Sequence, residues 1–217
     1  EASSLEAYFD YTSPCGTCDM SISDEPRVLG SSVVSTNRTS DYTLLRLSQG
    51  APAGTAFLAW NSTPVATSNG AELYRISHPL GTPQAYSAHV VDTSKPTCRS
   101  WPRGSWIYST DVFGATDGGS SGSPVVNAQG QLVGQLSGGC GYNVGDVCDT
   151  VQNATVDGAF AAYYNSVAQW LGPGSSCTDA DGDGYCASED CNDNNAAINP
   201  GATENCTDGV DNNCNGF

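Results

Sequence analysis

From residue 28 to residue 140 the chain breaks into short apolar or alternating runs, each cut off by Gly, Pro, Asn or Ser before a helical period can establish itself. The runs at 28–29, 33–34, 43–47, 56–60, 73–76, 105–108, 122–126 and 132–136 predict strands. Val125-Val126 and Leu132-Val133, joined through residues 127–130, predict a β-hairpin. Many short strands at this spacing point to a sandwich or a barrel. One helix is predicted, over 156–171, where Phe160, Tyr163, Tyr164, Val167, Trp170 and Leu171 share one face. Asp157 can serve as its N-cap, and Gly172-Pro173 stops it. Residues 172–176 read as a flexible linker. Residues 177–217 hold too few apolar side chains for an ordinary core, so they need disulfides or metal to keep a shape.

Charge narrows the partners. Acidic side chains number 23 against seven basic ones, of which Lys95 is the one lysine. Such a chain repels phosphate backbones and anionic lipid, so neither nucleic acid nor a membrane surface is an expected partner. No stretch approaches the roughly 20 consecutive apolar residues that span a bilayer. Nine acids lie between Asp179 and Asp211 with no basic residue among them, a block that must be solvated, disordered or neutralised by metal. Ten cysteines indicate an oxidising compartment, hence disulfides and a secreted, extracellular protein. The alternative is thiolate zinc at Cys15 and Cys18, although no second pair at finger spacing follows. Sequons at Asn37, Asn61, Asn153 and Asn205 permit glycosylation. Glu1 opens no signal peptide and reads as a processing point or fragment boundary.

The segment Gly118-Gly119-Ser120-Ser121-Gly122-Ser123-Pro124 carries the chemistry. Glycines on both sides of a serine let the backbone turn sharply and present the hydroxyl, with backbone N–H groups free to face a developing oxyanion. The bland reading is a serine–glycine loop between strands. The stretch resembles the nucleophile loop of trypsin-like serine peptidases, in the variant of the bacterial lysyl endopeptidases. Three other segments are similar to that family in order and spacing: residues 40–47 to its aspartate strand, Ile76–Gly81 to its His-Pro-x-Gly turn, and Gly134–Gly139 to the strand lining its specificity pocket. The resemblance covers roughly residues 7–171. It implies a chymotrypsin-like double β-barrel, all-β, with a C-terminal helix, acting on protein or peptide substrates. Ser121 would be the nucleophile, Asp41 would orient the catalytic histidine, and the N–H groups of Gly119 and Ser121 would form the oxyanion hole. For Asp41 the plain alternative is a turn residue at a strand edge.

One part is missing. The family's chain order is His, Asp, Ser, and no histidine precedes Asp41. His78 falls in the His-Pro-x-Gly turn, where the family's residue is structural, and His89 falls in a short strand-like run. The catalytic histidine is therefore expected on an N-terminal chain from the same precursor. The first barrel would then be incomplete in this chain, since half a barrel leaves open strand edges that a partner must cover.

Pocket and tail complete the reading. Ala115 stands where trypsin carries its specificity aspartate, so a preference for Lys or Arg needs another carboxylate. The resemblance points to Asp157, in a pocket walled by Ser137 and Gly138, while N-cap duty remains open for the same residue. In the tail Asp179, Asp181, Asp183, the Tyr185 carbonyl and Asp190 fall at positions 1, 3, 5, 7 and 12 of a calcium loop, with Gly184 at the turn. EF-hand helices are absent, and interleaved cysteines make the tail resemble thrombospondin type 3-like repeats. Asp193, Asn195, Asp208, Asp211 and Asn213 could hold a second Ca2+ ion. The alternative is a solvated acidic tail. The organisation expected is a peptidase domain over 1–171, a linker over 172–176 and a calcium-binding module over 177–217. A non-catalytic structural or adhesive protein that kept the peptidase fold is the competing function.

Overall fold

The computed structural model describes residues 2–13, 21–23, 25–114, 116–140, 155–171, 180–181, 190–200, 202–205, 207–214 and 216. The chain divides into two compact units, Glu1–Trp170 and Leu171–Phe217.

Among the described residues, ten short strands build the first unit. β1 (Glu6–Tyr8) pairs with β2 (Arg27–Leu29), and β3 (Ser31–Asn37) pairs with β4 (Tyr42–Leu47), as two separate antiparallel ribbons. The other six are β5 (Glu72–Ser77), β6 (Ala85–Val91), β7 (Trp106–Phe113), β8 (Pro124–Val126), β9 (Leu132–Gly138) and β10 (Val156–Ala159). They close into an antiparallel barrel in the order β10-β7-β6-β5-β8-β9. The expected architecture is thus present, among the described residues, as one closed barrel and the two-stranded ribbons β1-β2 and β3-β4.

Alternation decides what fills the barrel. Side chains two apart share a face, so Leu73, Arg75 and Ser77 of β5 all point inward, as do Ser87, His89 and Val91 of β6. These inward rows are apolar at one end and polar at the other. Leu73, Val91, Ile107, Val125, Val133 and Ala159 pack one end, with Ala66 beneath them. Arg75, Ser77, Ser87, His89, Ser109, Asp111, Thr155 and Asp157 are buried towards the other. That polar end is also where β5 runs into the His78–Gly81 turn and β7 runs into the Gly118–Pro124 loop.

Two expectations are corrected. The predicted helix begins later: α1 spans Phe160–Val167 and tightens into a 3-10 turn over Ala168–Trp170. Phe160, Tyr163 and Val167 form its buried face, as the periodicity requires. Val156–Ala159 is instead a strand, because the barrel closes only if these residues hydrogen-bond to β7 and β9 together, which outweighs helix propensity. Asp157 is therefore no N-cap; Ala159 holds that position without a side-chain hydrogen bond. Nor do residues 56–60 form a strand. Only Trp60 bridges β9, at Leu132, while Phe57 and Leu58 are exposed.

A disulfide between Cys98 and Cys140 ties the loop before β7 to the end of β9, closing a sequence separation of 42 residues. Cys140 is fully buried among Trp106, Tyr108 and Val156, with Trp101 stacked on Trp106 at 4.6 Å. Constraining a loop of this length removes unfolded-state entropy. The Cys98→Ala/Cys140→Ala variant is expected to lose about 2–4 kcal/mol of stability, read from urea denaturation of the barrel.

Candidate active site

The Gly118–Pro124 loop is shaped by the Asp117 side chain and by backbone hydrogen bonds. Asp117 Oδ1 accepts the Gly118 N–H at 2.6 Å, and the Asp117 carbonyl accepts the Ser120 N–H at 3.1 Å. The Gly122 N–H donates to the Leu136 carbonyl at 2.7 Å, and Leu136 N–H donates back to the Ser123 carbonyl at 2.9 Å. Ser123 N–H is taken by the Ser120 carbonyl. The N–H groups of Gly119 and Ser121 make no hydrogen bond among the described residues. Beside them Ser121 is exposed, whereas Ser120 points inward and is buried. An exposed hydroxyl can attack a carbonyl carbon, and N–H groups left without partners among the described residues can receive the resulting oxyanion.

Gly119 could be nothing else. Its φ is +95°, and a Cβ there would lie 3.1 Å from the Leu80 nitrogen and 3.2 Å from the His78 carbonyl oxygen. The His78–Gly81 turn packs directly behind the loop, with Leu80 N–H donating to the Gly118 carbonyl at 2.6 Å.

Asp41 is exposed at the end of the β3–β4 turn, in a left-handed conformation with φ +50°. The carbonyls of Ser40 and Asp41 both face the Gln135 amide nitrogen, at 3.4 and 3.3 Å. The Asp41 turn and the Gly122–Ser123 stretch beside Ser121 are thus anchored at adjacent residues of β9, the first through Gln135 and the second through Leu136. Ser137 and Gly138 follow on the same strand, half-buried, with the Ser137 hydroxyl turned inward. Ala115 lies outside the described residues.

Both histidines are occupied elsewhere. His78 Nδ1 lies 2.9 Å from the Thr82 carbonyl, so that nitrogen carries the proton, and its ring stacks on Tyr11 at 5.4 Å. His89 is buried on β6, where Nδ1 lies 2.9 Å from Ser109 Oγ. Burial, aided by the nearby Arg75 charge, lowers its pKa to about 3.

Asp157 is fully buried on β10, in register with Leu136 of β9 and Ile107 of β7. Its Oδ1 meets Arg75 Nη2 at 2.5 Å, while Thr155 Oγ1 donates to Oδ2 at 3.2 Å. Asp111, two residues before the end of β7, is buried nearby, with neither carboxylate oxygen hydrogen-bonded among the described residues. Burial raises both acids to about 6 against the pull of Arg75. Two carboxylates therefore face one guanidinium behind the nucleophile loop. Sequence reading missed Arg75 and Asp111, although an arginine in phase with Leu73 and Ser77 on a strand face was visible. Truncating one partner of such a pair typically costs about 3–5 kcal/mol, because the other charge stays buried alone.

In the second unit Asp179, Asp183 and Tyr185 lie outside the described residues, and Asp181 is half-buried. Asp190 is buried: Oδ1 accepts the Asn192 N–H at 2.7 Å, and Oδ2 has no hydrogen bond among the described residues. The sulfurs of Cys191 and Cys214 lie close to it but are bonded to each other. Asp193 Oδ1 accepts the Ala180 N–H, Asn195 Oδ1 the Ala197 N–H, Asp208 Oδ1 the Val210 N–H, and Asp211 Oδ2 the Gly216 N–H. Asn213 donates its own N–H to Glu204 Oε2 at 3.2 Å. With the thiols closed into a disulfide, the available donors are oxygens, which suit a hard cation.

The model of the lysyl endopeptidase C-terminal domain matches residues 1–156, and the model of a metal-binding motif matches residues 190–217. A lysyl endopeptidase of Pseudomonas aeruginosa is 28% identical over 180 residues, which cover 79% of this chain and 37% of the relative. The chain thus spans little more than a third of the length of that relative. Among solved structures, the active form of the Rv3671c protease from M. tuberculosis aligns with a TM-score of 0.45 and 16% identity, over 64% of this chain and 57% of that one. The HtrA-type protease AlgW with decapeptide aligns with a TM-score of 0.48 and 16% identity, over 70% and 43%.

The buried cluster predicts a pH response with two opposing parts. His89 binds its proton near 6.5 when unfolded and near 3 when folded, so the stability of its neutral form is lost as pH falls below about 6.5. Asp111 and Asp157 act in the opposite sense: their contribution is full below the unfolded value of 3.8 and declines as pH rises through about 6. The His89→Gln variant should therefore lose less Tm than the parent between pH 6.5 and pH 4 by calorimetry. Equal losses would mean that His89 is not held neutral.

Proposed function

The chain belongs to the lysyl endopeptidase C-terminal domain family, and from that premise we propose that it is the nucleophile-bearing part of a secreted serine endopeptidase. One observation carries the reading: Ser121 is exposed in a loop whose Gly119 and Ser121 N–H groups make no hydrogen bond among the described residues. Ser121 Oγ attacks the scissile carbonyl carbon as a histidine takes its proton, and the Gly119 and Ser121 N–H groups bind the oxyanion. The imidazolium then protonates the leaving amine, and water, deprotonated by the same histidine, releases the acyl group from Ser121. Asp41 fixes the imidazole's tautomer and direction.

The base comes from a histidine-bearing N-terminal segment of the same precursor. His78 and His89 are engaged in hydrogen bonds of their own, and β1 to β4 form ribbons whose outer edges are unpaired among the described residues, where a further set of strands can pair. Secretion accords with disulfides in both units. A preference for Lys or Arg before the scissile bond accords with the charge behind the nucleophile. Asp157 and Asp111 carry two negative charges above pH 6, Arg75 carries one positive charge, and His89 is neutral. One cation is wanting there, and a substrate's basic side chain, passing Ser137 and Gly138, supplies it.

The test is active-site labelling. The chain alone should not react with a fluorophosphonate probe. Joined to its histidine-bearing segment it should label, lose the label in Ser121→Ala, and cleave Lys or Arg peptides at least about 100-fold faster than Leu peptides. Labelling of the chain alone would place the base within it. No labelling of the assembled protein would favour the structural or adhesive role.

For the tail we propose a calcium-stabilised module, with Asp179, Asp181, Asp183, the Tyr185 carbonyl and Asp190 as one oxygen set, at about 2.3–2.6 Å. Asp193, Asn195, Asp208, Asp211 and Asn213 are candidates for a second. The buried Asp190 Oδ2 supports the first set, since a carboxylate oxygen removed from water calls for a proton or a cation. Calorimetric titration with Ca2+ should show one or two sites, weakened at least about 10-fold in Asp181→Asn/Asp190→Asn. The barrel's thermal transition should be unchanged. No heat of binding in the parent protein would refute the assignment.

A further inference from the structure

Asp41 occupies an exposed turn, an unpromising place for a residue that must aim a carboxylate. Its backbone is left-handed, a conformation that costs a non-glycine residue about 1 kcal/mol and persists only if its surroundings hold it. Three contacts surround it. The Gln135 amide nitrogen reaches the carbonyls of Ser40 and Asp41. Gln135 Oε1 accepts a hydrogen bond from the Tyr163 hydroxyl on α1. The Tyr163 ring stacks on Tyr42, the residue next to Asp41, at 4.4 Å and 19°. These contacts form a ring that leaves the β3–β4 turn, crosses α1, passes through β9 and returns to Asp41.

We propose that Gln135 and Tyr163 are positioning residues that hold the Asp41 turn for proton transfer at Ser121, an assignment that rests on the peptidase reading above. The network fixes its own polarity. Both carbonyls need donors, so Nε2 must face them and Oε1 must face the phenol. The phenol must then keep its proton. Burial, followed by the neighbouring Tyr42, pushes the Tyr163 pKa upward, so it remains a donor throughout the working range. Gly158 on β10 completes the arrangement. A Cβ there would collide with Gln135 Nε2 and lie 3.1 Å from the Ser40 carbonyl oxygen. The absence of a side chain at Gly158 is what lets the Gln135 amide pass from the barrel to the turn. The barrel strand that holds Ser121 through Leu136 thus also sets Asp41, one residue earlier.

Two variants test this. Gln135→Leu keeps bulk and removes the amide; Tyr163→Phe keeps the ring stack and removes only the hydroxyl. Native-state hydrogen exchange of residues 40–43 in the full chain should accelerate about 10-fold or more in both. In the protein assembled with its histidine-bearing segment, kcat should fall about 10-fold with KM within about two-fold. The acid limb of kcat/KM should move to lower pH, since a displaced carboxylate no longer favours the imidazolium. Unchanged exchange overturns the clamp. Faster exchange with unchanged kcat and pH profile overturns its catalytic role. Should the assembled protein hydrolyse nothing, the peptidase reading fails with the catalytic role, while exchange still decides the clamp.

Discussion

Closure of the six-stranded barrel through β10 is the constraint on which the other arrangements rest. Four residues, Val156–Ala159, must pair with β7 on one side and β9 on the other, or two strand edges are left open. Pairing on both sides buries every side chain of the strand, Asp157 included. A buried carboxylate needs a cation or a proton, and Arg75, inward by the alternation of β5, provides the cation at 2.5 Å. The barrel's interior charge follows from its closure.

The same closure fixes where chemistry can occur. β9 is held rigidly between β8 and β10, and its Leu136 exchanges two backbone hydrogen bonds with the Gly122–Ser123 stretch. Its neighbour Gln135 bears on the β3–β4 turn that carries Asp41. Anchoring on adjacent residues of one strand ties the loop of Ser121, the proposed nucleophile, and the turn of Asp41, the proposed orienting carboxylate, to one rigid element. At the polar end of the barrel Asp111 and Asp157 are buried with a single guanidinium, that of Arg75.

Much of this was legible in the order of residues. Short interrupted runs gave the barrel strands, and the glycines around Ser121 marked a turn that no helix or regular strand could contain. Phe160, Tyr163 and Val167 showed the buried face of the helix. The start of that helix was not legible, because Val156–Ala159 fits the end of a helical pattern as well as a strand, and only two waiting strand edges decide between them. Residues 56–60 illustrate the converse. Their apolar pattern suits a strand, but the fold offers a partner only at Trp60.

By itself, then, the chain's sequence determined the short-strand architecture, the nucleophile loop and the oxygen-rich tail, since each depends on residues close together along the chain. Backbone freedom at Gly119 and the carboxylate spacing of the tail are local properties. Tertiary structure alone decided the partner of Asp157, the engagement of His89 and the support of Asp41 by Gln135 and Tyr163. Those pairings join residues some 20 to 120 positions apart, at 75 and 157, 89 and 109, and 41, 135 and 163. A contact between distant strands is set by register and closure, and no local pattern encodes which inward-facing charge will meet which.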